Sequence, residues 1–141
     1  MTFDPSTERY EHVISVLPQD VDQFDHVNNV VYLRWVQDAS TAHWNAAATN
    51  AQKDAIGWVV IRHEIDYMNS ARLGDEIIAR TWVGTANKNI FERHTELLRL
   101  GDLKVLARVR SLWCPINLHS RKPIRVGADI HERFSVPDMK P

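Results

Sequence analysis

The sequence contains a single cysteine, Cys114, and no block of like charges. One cysteine cannot form an internal disulfide, and without a second thiol nearby it gives no support for a thiolate metal site. The 17 Lys and Arg residues nearly balance the 18 Asp and Glu residues, which leaves a formal charge of −1. The chain therefore lacks the excess of basic charge that is typical of nucleic-acid binding.

Long apolar runs and a secretory leader are also missing. The first ten residues are polar and acidic, without the basic start and apolar stretch of a signal peptide. No apolar run approaches the length of a membrane span. We therefore expect a cytoplasmic protein that has no membrane partner.

The motifs of several common enzyme classes are absent as well. There is no Gly-x-Ser-x-Gly segment, which removes the α/β-hydrolase route to ester cleavage, and no Walker or dinucleotide-binding glycine loop. The seven histidines show no metal-ligand spacing together with a third ligand. The sequence predicts neither a metal nor a cofactor.

The overall composition is that of an ordinary globular protein. Hydrophobic residues make up 44% of the 141 residues and charged residues 25%, and there is no repeat or flexible linker. A chain of this length can bury a core by itself. We predict one domain over residues 1–141.

Local periodicity divides the chain into one early strand, one helix and a series of later strands. Alternating apolar residues predict a strand over Tyr10 to Leu17, closed by Pro18. From Val30 to about Ala48, apolar and small residues recur at three- and four-residue spacing, which predicts one long helix with Asn28 or Asn29 as its N-cap. Four segments rich in β-branched and aromatic residues follow: Trp58 to Met68, Glu76 to Thr85, Ile90 to Leu100, and Leu103 to Ile116.

Gly, Asn and Asp separate these later strands, so we expect tight reversals and antiparallel pairing. A short strand near Pro123 to Val126 and a brief helix from about Ala128 to Arg133 complete the pattern. Together the elements predict an α+β fold, with an antiparallel sheet of about five or six strands curled around one long central helix (about 30–48). Such a sheet leaves edges uncovered, and we therefore expect a homodimer or a dimer of dimers that continues it.

The segment between the first strand and the helix is unusually polar. It places three carboxylates, one imidazole and two amides just before a helix N-terminus, whose free N–H groups can stabilise a developing oxyanion. A carboxylate held nearby can attack a carbonyl or deprotonate a water. The same residue types are also frequent simply as caps and turn formers, so the residues alone leave both interpretations open.

This segment resembles the signature of a known family. It reads Asp20-Val-Asp-Gln-Phe-Asp-His-Val-Asn-Asn-Val-Val-Tyr32 and is similar to the 4-hydroxybenzoyl-CoA thioesterase-like hotdog family, including its YbgC-type members. It also resembles the corresponding motif of plant acyl-ACP thioesterases. The likeness continues in order through Gly57-Trp-Val-Val, Glu64-Ile-Asp-Tyr67, Leu73-Gly-Asp75, Trp113-Cys-Pro-Ile-Asn-Leu118 and Arg121-Lys-Pro-Ile-Arg125. The resemblance implies a hotdog fold and hydrolysis of an acyl-CoA thioester, with CoA present only as part of the substrate.

The resemblance also implies roles for individual residues. Asp22 matches the catalytic carboxylate, which acts either as nucleophile or as general base, and Asn29 matches the helix-start residue whose backbone N–H polarises the thioester carbonyl. His26 and Asn28 match residues with catalytic roles in the plant motif. The candidates for substrate binding are Gly57 and Tyr32, together with the polar or basic residues Lys88, Asn89, Arg121 and Lys122, which would contact CoA.

Two positions depart from the family pattern. Phe24 stands where the plant motif has Asn, so a complete plant-type catalytic set is not available, and Asp25 stands where many relatives have Gly. An acyl-ACP thioesterase and a non-catalytic acyl-binding protein therefore remain alternatives. The tryptophans at three positions are expected mainly in the core, with an acyl pocket as the alternative: Trp35, Trp44 and Trp58.

Overall fold

A computed structural model describes residues 9–134. Within this range the elements are β1 (Tyr10–Ser15), a 3₁₀ turn (Pro18–Asp20), α1 (Asn29–Ala47), α2 (Asn50–Ala55), β2 (Ile56–Tyr67), β3 (Glu76–Asn87), β4 (Ile90–Arg99), β5 (Val105–Asn117) and α3 (Ala128–Phe134). None of the described helices is long and apolar enough to cross a membrane. The α+β architecture predicted from the sequence is confirmed.

The five strands form one antiparallel sheet in the order β1-β3-β4-β5-β2, so β1 and β2 lie at its two edges. The pairing shifts register within β2, between Val60 and Arg62, and again between Val83 and Ala86 where β3 pairs with β4. Such irregularities increase the local twist of a strand. They help the sheet curl towards α1.

The helix α1 packs mainly on β3 and β1, on one side of the sheet. Its buried residues recur at helical spacing, and Trp35, Val36 and Ala39 are completely inaccessible to solvent. Because Ala39 has only a methyl side chain, the helix can approach the sheet closely. The C-terminal half of α1 borders a second apolar cluster, in which Phe91 and Phe134 are buried.

Two details differ from the sequence-based expectation. The short strand near Pro123 to Val126 does not form; Pro123 makes one isolated bridge with Ile116, because proline has no N–H to extend a ladder. The helix α2 was not expected. Thr49 followed three residues later by Gln52 is the sequence pattern that could have predicted this helix. The two residues form a reciprocal cap, in which the Gln52 N–H donates to Thr49 Oγ1 and the Thr49 N–H donates to Gln52 Oε1.

Candidate active site

The loop between the 3₁₀ turn and α1 closes on itself as a small hairpin. Val21 and Val27 form an isolated bridge, and the Asp22 N–H donates to the carbonyl oxygen of His26 over 2.8 Å. Val27 is buried, and its N–H donates to the carbonyl oxygen of Ala71 over 3.0 Å. The loop is therefore held by its two ends, while residues 22–26 are exposed.

The carboxylate of Asp22 is oriented by backbone donors of this loop. Its Oδ1 accepts from the N–H groups of His26, at 3.1 Å, and Phe24, at 2.8 Å. These two bonds favour the ionised form and lower the pKa of Asp22 below its ordinary value. Oδ2 accepts no hydrogen bond from residues 9–134. Asp22 thus presents an ionised, exposed oxygen that a reaction can use.

Asp20, two residues earlier, has the opposite environment. Its side chain is 1% exposed, with Oδ2 accepting from the Leu17 N–H at 3.0 Å and Oδ1 accepting from Arg34 Nη2 at 2.9 Å. Its carbonyl oxygen accepts from the Asn28 N–H at 2.9 Å. Asp20 therefore fixes the loop against the start of the helix, whereas the Asp22 carboxylate stays exposed.

The start of α1 has no side-chain cap. Asn28 occupies the N-cap position, but its side chain accepts no hydrogen bond there, so the expected side-chain cap is wrong. The first bond of the turn runs from the Val31 N–H to the Asn28 carbonyl over 2.9 Å, and no bond from the N–H of Asn29 or Val30 to residues 9–134 is formed. Uncapped amides at a helix start are suited to stabilising an oxyanion.

Two tyrosines hold the helix start in place. The Tyr67 hydroxyl donates to the carbonyl oxygen of Asn29 over 3.0 Å, and the Tyr32 hydroxyl oxygen accepts from the Ala71 N–H over 2.9 Å. Their rings meet edge to face at a centroid distance of 5.3 Å. Tyr32 is only 2% exposed, so within a single subunit it positions the helix, and its expected role in substrate binding stays a prediction.

His26 and Asn28 lie on the same loop and are exposed. His26 also lines an open polar groove whose other walls are Asn69, Ser70, Arg72, Asp75, Arg99 and Lys104. Arg99 is already engaged there by the carboxylates of Asp75, at 3.2 Å, and Asp102, at 3.0 Å. Both loop residues are close to Asp22 in sequence and are free to face a bound substrate.

A second cavity lies at the other end of α1. It has a volume of about 240 Å³ and an aromatic lining formed by Trp44, Trp58, Phe91, Trp113 and Phe134, with Ser40, Thr41, Ile56, Gly57, Val83 and Arg93 completing the wall. Two of the three tryptophans singled out from the sequence therefore line this aromatic pocket, whereas Trp35 is in the core. Arg93 was not predicted as a pocket residue, because its neighbours along β4 form no motif that distinguishes it from other arginines of the strands.

Gly57 is part of the aromatic pocket, and a side chain at this position would have to displace the tip of Leu118. A methyl group at this position would lie 2.7 Å from Leu118 Cδ2 and 3.3 Å from Ile116 Cγ1. Along α1 the pocket begins at Ser40, about 17 Å along the helix axis from Asn29 at 1.5 Å per residue. Within one subunit, Gly57 and the Asp22 loop therefore lie at opposite ends of α1.

The four proposed CoA contacts lie at the pocket end of the sheet. Lys88 is in the turn between β3 and β4, and its carbonyl oxygen accepts from the Val126 N–H over 2.8 Å. The carbonyl oxygen of Lys122 accepts from the N–H of Asn117, which pairs with the first residue of β2. The side chains of Lys88, Arg121 and Lys122 are exposed, and Asn89 is partly buried.

Residues 9–134 contain no group of three or more His, Cys, Asp or Glu side chains that could hold a metal ion. The free thiol of Cys114 is buried. The expectation that no cofactor is needed stays a prediction.

A curled antiparallel sheet around one long helix, with a polar loop at the helix start, is the hotdog fold. The sequence also matches the family model of the thioesterase-like superfamily over residues 16–134. The chain therefore belongs to this superfamily, and its membership supports thioester hydrolysis as the general activity.

Solved structures with the same fold differ widely in sequence. Slr0204, a 1,4-dihydroxy-2-naphthoyl-CoA thioesterase from Synechocystis, superimposes with a TM-score of 0.73 at 18% identity, over 84% of this chain and 90% of that one. SAV2348 from Staphylococcus aureus, solved in complex with CoA, gives a TM-score of 0.79 at 12% identity, over 96% and 90% of the two chains. At these identities the likeness shows the fold alone.

The 12:0-ACP thioesterase from Umbellularia californica is similar over part of its length. The TM-score is 0.74 at 16% identity, and the match covers 89% of this chain and 49% of the plant protein. The chain thus spans about half of that enzyme. No curated protein sequence matches this chain.

Proposed function

We propose that this protein hydrolyses an acyl-CoA thioester to the free acid and CoA, with Asp22 as nucleophile or general base. The observation that carries the proposal is the pairing of an ionised, backbone-held carboxylate with an uncapped helix start on the same short loop. Membership of the thioesterase-like superfamily supports the reaction class.

The geometry supports a simple reaction sequence. The N–H at Asn29 would donate to the thioester carbonyl oxygen as negative charge develops there. As nucleophile, Asp22 would add to the carbonyl carbon and expel CoA thiolate, and water would then cleave the mixed anhydride and regenerate the carboxylate. As general base, Asp22 would instead take a proton from water while the hydroxide adds to the carbonyl and the thiolate leaves. His26 and Asn28 are proposed to assist from the same loop.

We further propose that the working unit is a homodimer, alone or within a dimer of dimers. The edge strand β2 exposes Val59 and Ile61, at 48% and 57%, and its backbone there is available for pairing with a second copy. Antiparallel pairing centred near Ile61 would bring Gly57 opposite Ile65 of the partner subunit. Because the Tyr67 end of β2 touches the helix start, the aromatic pocket of one subunit would then border the Asp22 loop of the other.

The proposed carrier is CoA. Lys88, Arg121 and Lys122 are exposed cations at the pocket end, suited to phosphate groups, and Asn89 adds a polar side chain. The similar structures include a complex with CoA and a 1,4-dihydroxy-2-naphthoyl-CoA thioesterase, which support CoA as the carrier, and a 12:0-ACP thioesterase, which supports acyl-ACP as the alternative. Rates with matched CoA and ACP thioesters of the same acyl group would separate the two carriers.

The decisive experiment is Asp22→Asn, assayed by free-thiol release on short, long, branched and aromatic acyl-CoA substrates. The amide keeps the acceptor for the loop N–H groups but can neither attack nor accept a proton, so we expect kcat to fall on the order of a thousandfold. Asp25→Asn is the matched control, because it removes another exposed carboxylate of the same loop, and it should retain turnover within about threefold.

Full activity in Asp22→Asn would remove this residue from the mechanism. If the wild-type protein binds acyl-CoA but releases no thiol from any substrate of the panel, the chain is a non-catalytic acyl-binding protein instead. Thermal melting of both variants and the wild type checks that each comparison is made on folded protein.

A further inference from the structure

The aromatic pocket contains one buried cation, Arg93 on β4. Its side chain is part of the pocket wall, although the residue is only 8% exposed. Nη1 donates to Thr81 Oγ1 over 3.0 Å and to His43 Nδ1 over 2.9 Å. Burial lowers the pKa of His43 to about 2, so the imidazole is neutral and accepts this bond without compensating the charge.

Among residues 9–134, no carboxylate forms an ion pair with Arg93. Other arginines of the same sheet do form ion pairs: Arg80 on β3 contacts Glu11 at 2.9 Å, and Arg99 on β4 contacts Asp75 at 3.2 Å. Burial lowers the pKa of Arg93 to about 9, which still leaves it protonated near neutral pH. A buried charge without a counter-ion is unfavourable, so this guanidinium is suited to an anion supplied by a ligand.

The guanidinium has unused donors for such an anion. Both side-chain bonds of Arg93 use Nη1, and Nε and Nη2 donate to no atom of residues 9–134. The rest of the pocket is mainly aromatic and apolar. Its volume of about 240 Å³ exceeds that of an apolar cavity of roughly 150 Å³ that accommodates benzene. There is room for an aromatic ring or a short chain that ends in a small polar group.

We propose that the aromatic pocket selects acyl groups whose far end carries a carboxylate, and that Arg93 is the specificity-determining residue. This inference rests on the proposed acyl-CoA hydrolysis and on the pocket's position beside the Asp22 loop of a second subunit. A planar guanidinium matches a carboxylate in geometry, and its single charge balances a monoanion. The aromatic walls contact the apolar body of the same acyl group.

The test compares two substrates of similar shape, 4-carboxybenzoyl-CoA and 4-methylbenzoyl-CoA. We expect the wild-type protein to prefer the carboxylated substrate by at least about tenfold in kcat/KM, mainly through a lower KM. Arg93→Met removes the charge at similar length and should reverse the preference, changing the ratio on the order of a hundredfold. Arg93→Lys should restore part of it. Arg125→Met, at an exposed cation with no assigned role, should leave the ratio unchanged.

Equal rates for the two substrates in the wild type, or a ratio that Arg93→Met leaves unchanged, would overturn this inference while hydrolysis by Asp22 stands. If Arg93→Met does not fold, the inference is tested by the kcat/KM ratio of the two substrates in the wild type and in Arg93→Lys. If neither of these thioesters nor any other substrate of the acyl-CoA panel is cleaved, the proposed function fails, and the pocket is tested by binding. The indole N–H resonances should then shift with 4-methylbenzoate and not with 4-methylbenzamide, and equal shifts for both would refute the anion site.

Discussion

The two ends of α1 differ in almost every physical respect. At its start, the side chains of Asp22, His26 and Asn28 are exposed, and the key carboxylate is oriented by N–H groups only two and four residues away. Towards its end lies the aromatic pocket, whose charged member Arg93 is buried and whose walls come from both α1 and distant strands.

In the proposed function, this difference separates the residues for chemistry from those for substrate selectivity. A loop held by local backbone bonds can present a reactive carboxylate with little help from the rest of the fold. A pocket that discriminates between ligands needs water-free walls and a desolvated charge, which only packed elements provide. We therefore expect changes at the helix start to act on turnover, and changes near the pocket to act on stability and substrate choice.

The largest effect on stability that we expect distinguishes the two loop carboxylates Asp20 and Asp22. Asp20→Ala removes a buried acceptor of both Leu17 and Arg34, and should lower the free energy of unfolding by about 2 to 4 kcal/mol. Asp22→Ala should leave the urea midpoint close to that of the wild type while abolishing turnover. Equal midpoints for the two variants would show that Asp20 does not anchor the loop.

The buried imidazole at the pocket end should make stability depend on pH. His43 has a pKa of about 2 in the folded protein, against an ordinary value of 6.5. Between these values the unfolded chain binds a proton that the folded protein does not, so stability falls as the pH drops below 6.5. This group contributes about 1.4 kcal/mol per pH unit.

The comparison for His43 is His43→Gln, which keeps an acceptor for Arg93 but does not titrate. Urea unfolding at pH 7, 6 and 5 should give a shallower loss of stability in the variant than in the wild type. Parallel curves for the two proteins would mean that His43 does not cause the acid sensitivity.

The smallest expected effect on stability is at Asp25, the loop position where many relatives have Gly. Asp25 has a φ of 59°, in the left-handed region that glycine adopts freely. Asp25→Gly should therefore leave the free energy of unfolding unchanged or raise it by no more than about 1 kcal/mol. The substitution relieves backbone strain at this φ, but it also gives the unfolded chain more conformational freedom, which offsets the gain. A large loss in chemical denaturation would show that the Asp25 side chain has its own stabilising contacts.

Elements with strong periodicity were predicted well. The helix expected over Val30 to Ala48 is observed as Asn29–Ala47, and the four later strands appear in the predicted order with shifted ends. Apolar spacing reports which face of an element is buried, and this suffices for long elements. The short segment at Pro123 failed as a strand because a missing N–H cannot be outweighed over so few residues.

The sequence by itself determined the helix, the succession of strands along the chain and the loop that presents Asp22, because each depends on residues close together in the chain. Only the tertiary structure decided that Trp44 and Trp58 line a pocket while Trp35 is in the core. Only the tertiary structure decided that Arg93 lies among aromatic rings without a carboxylate partner in residues 9–134. Burial and desolvation arise when distant elements pack, and no local pattern in a single sequence contains them.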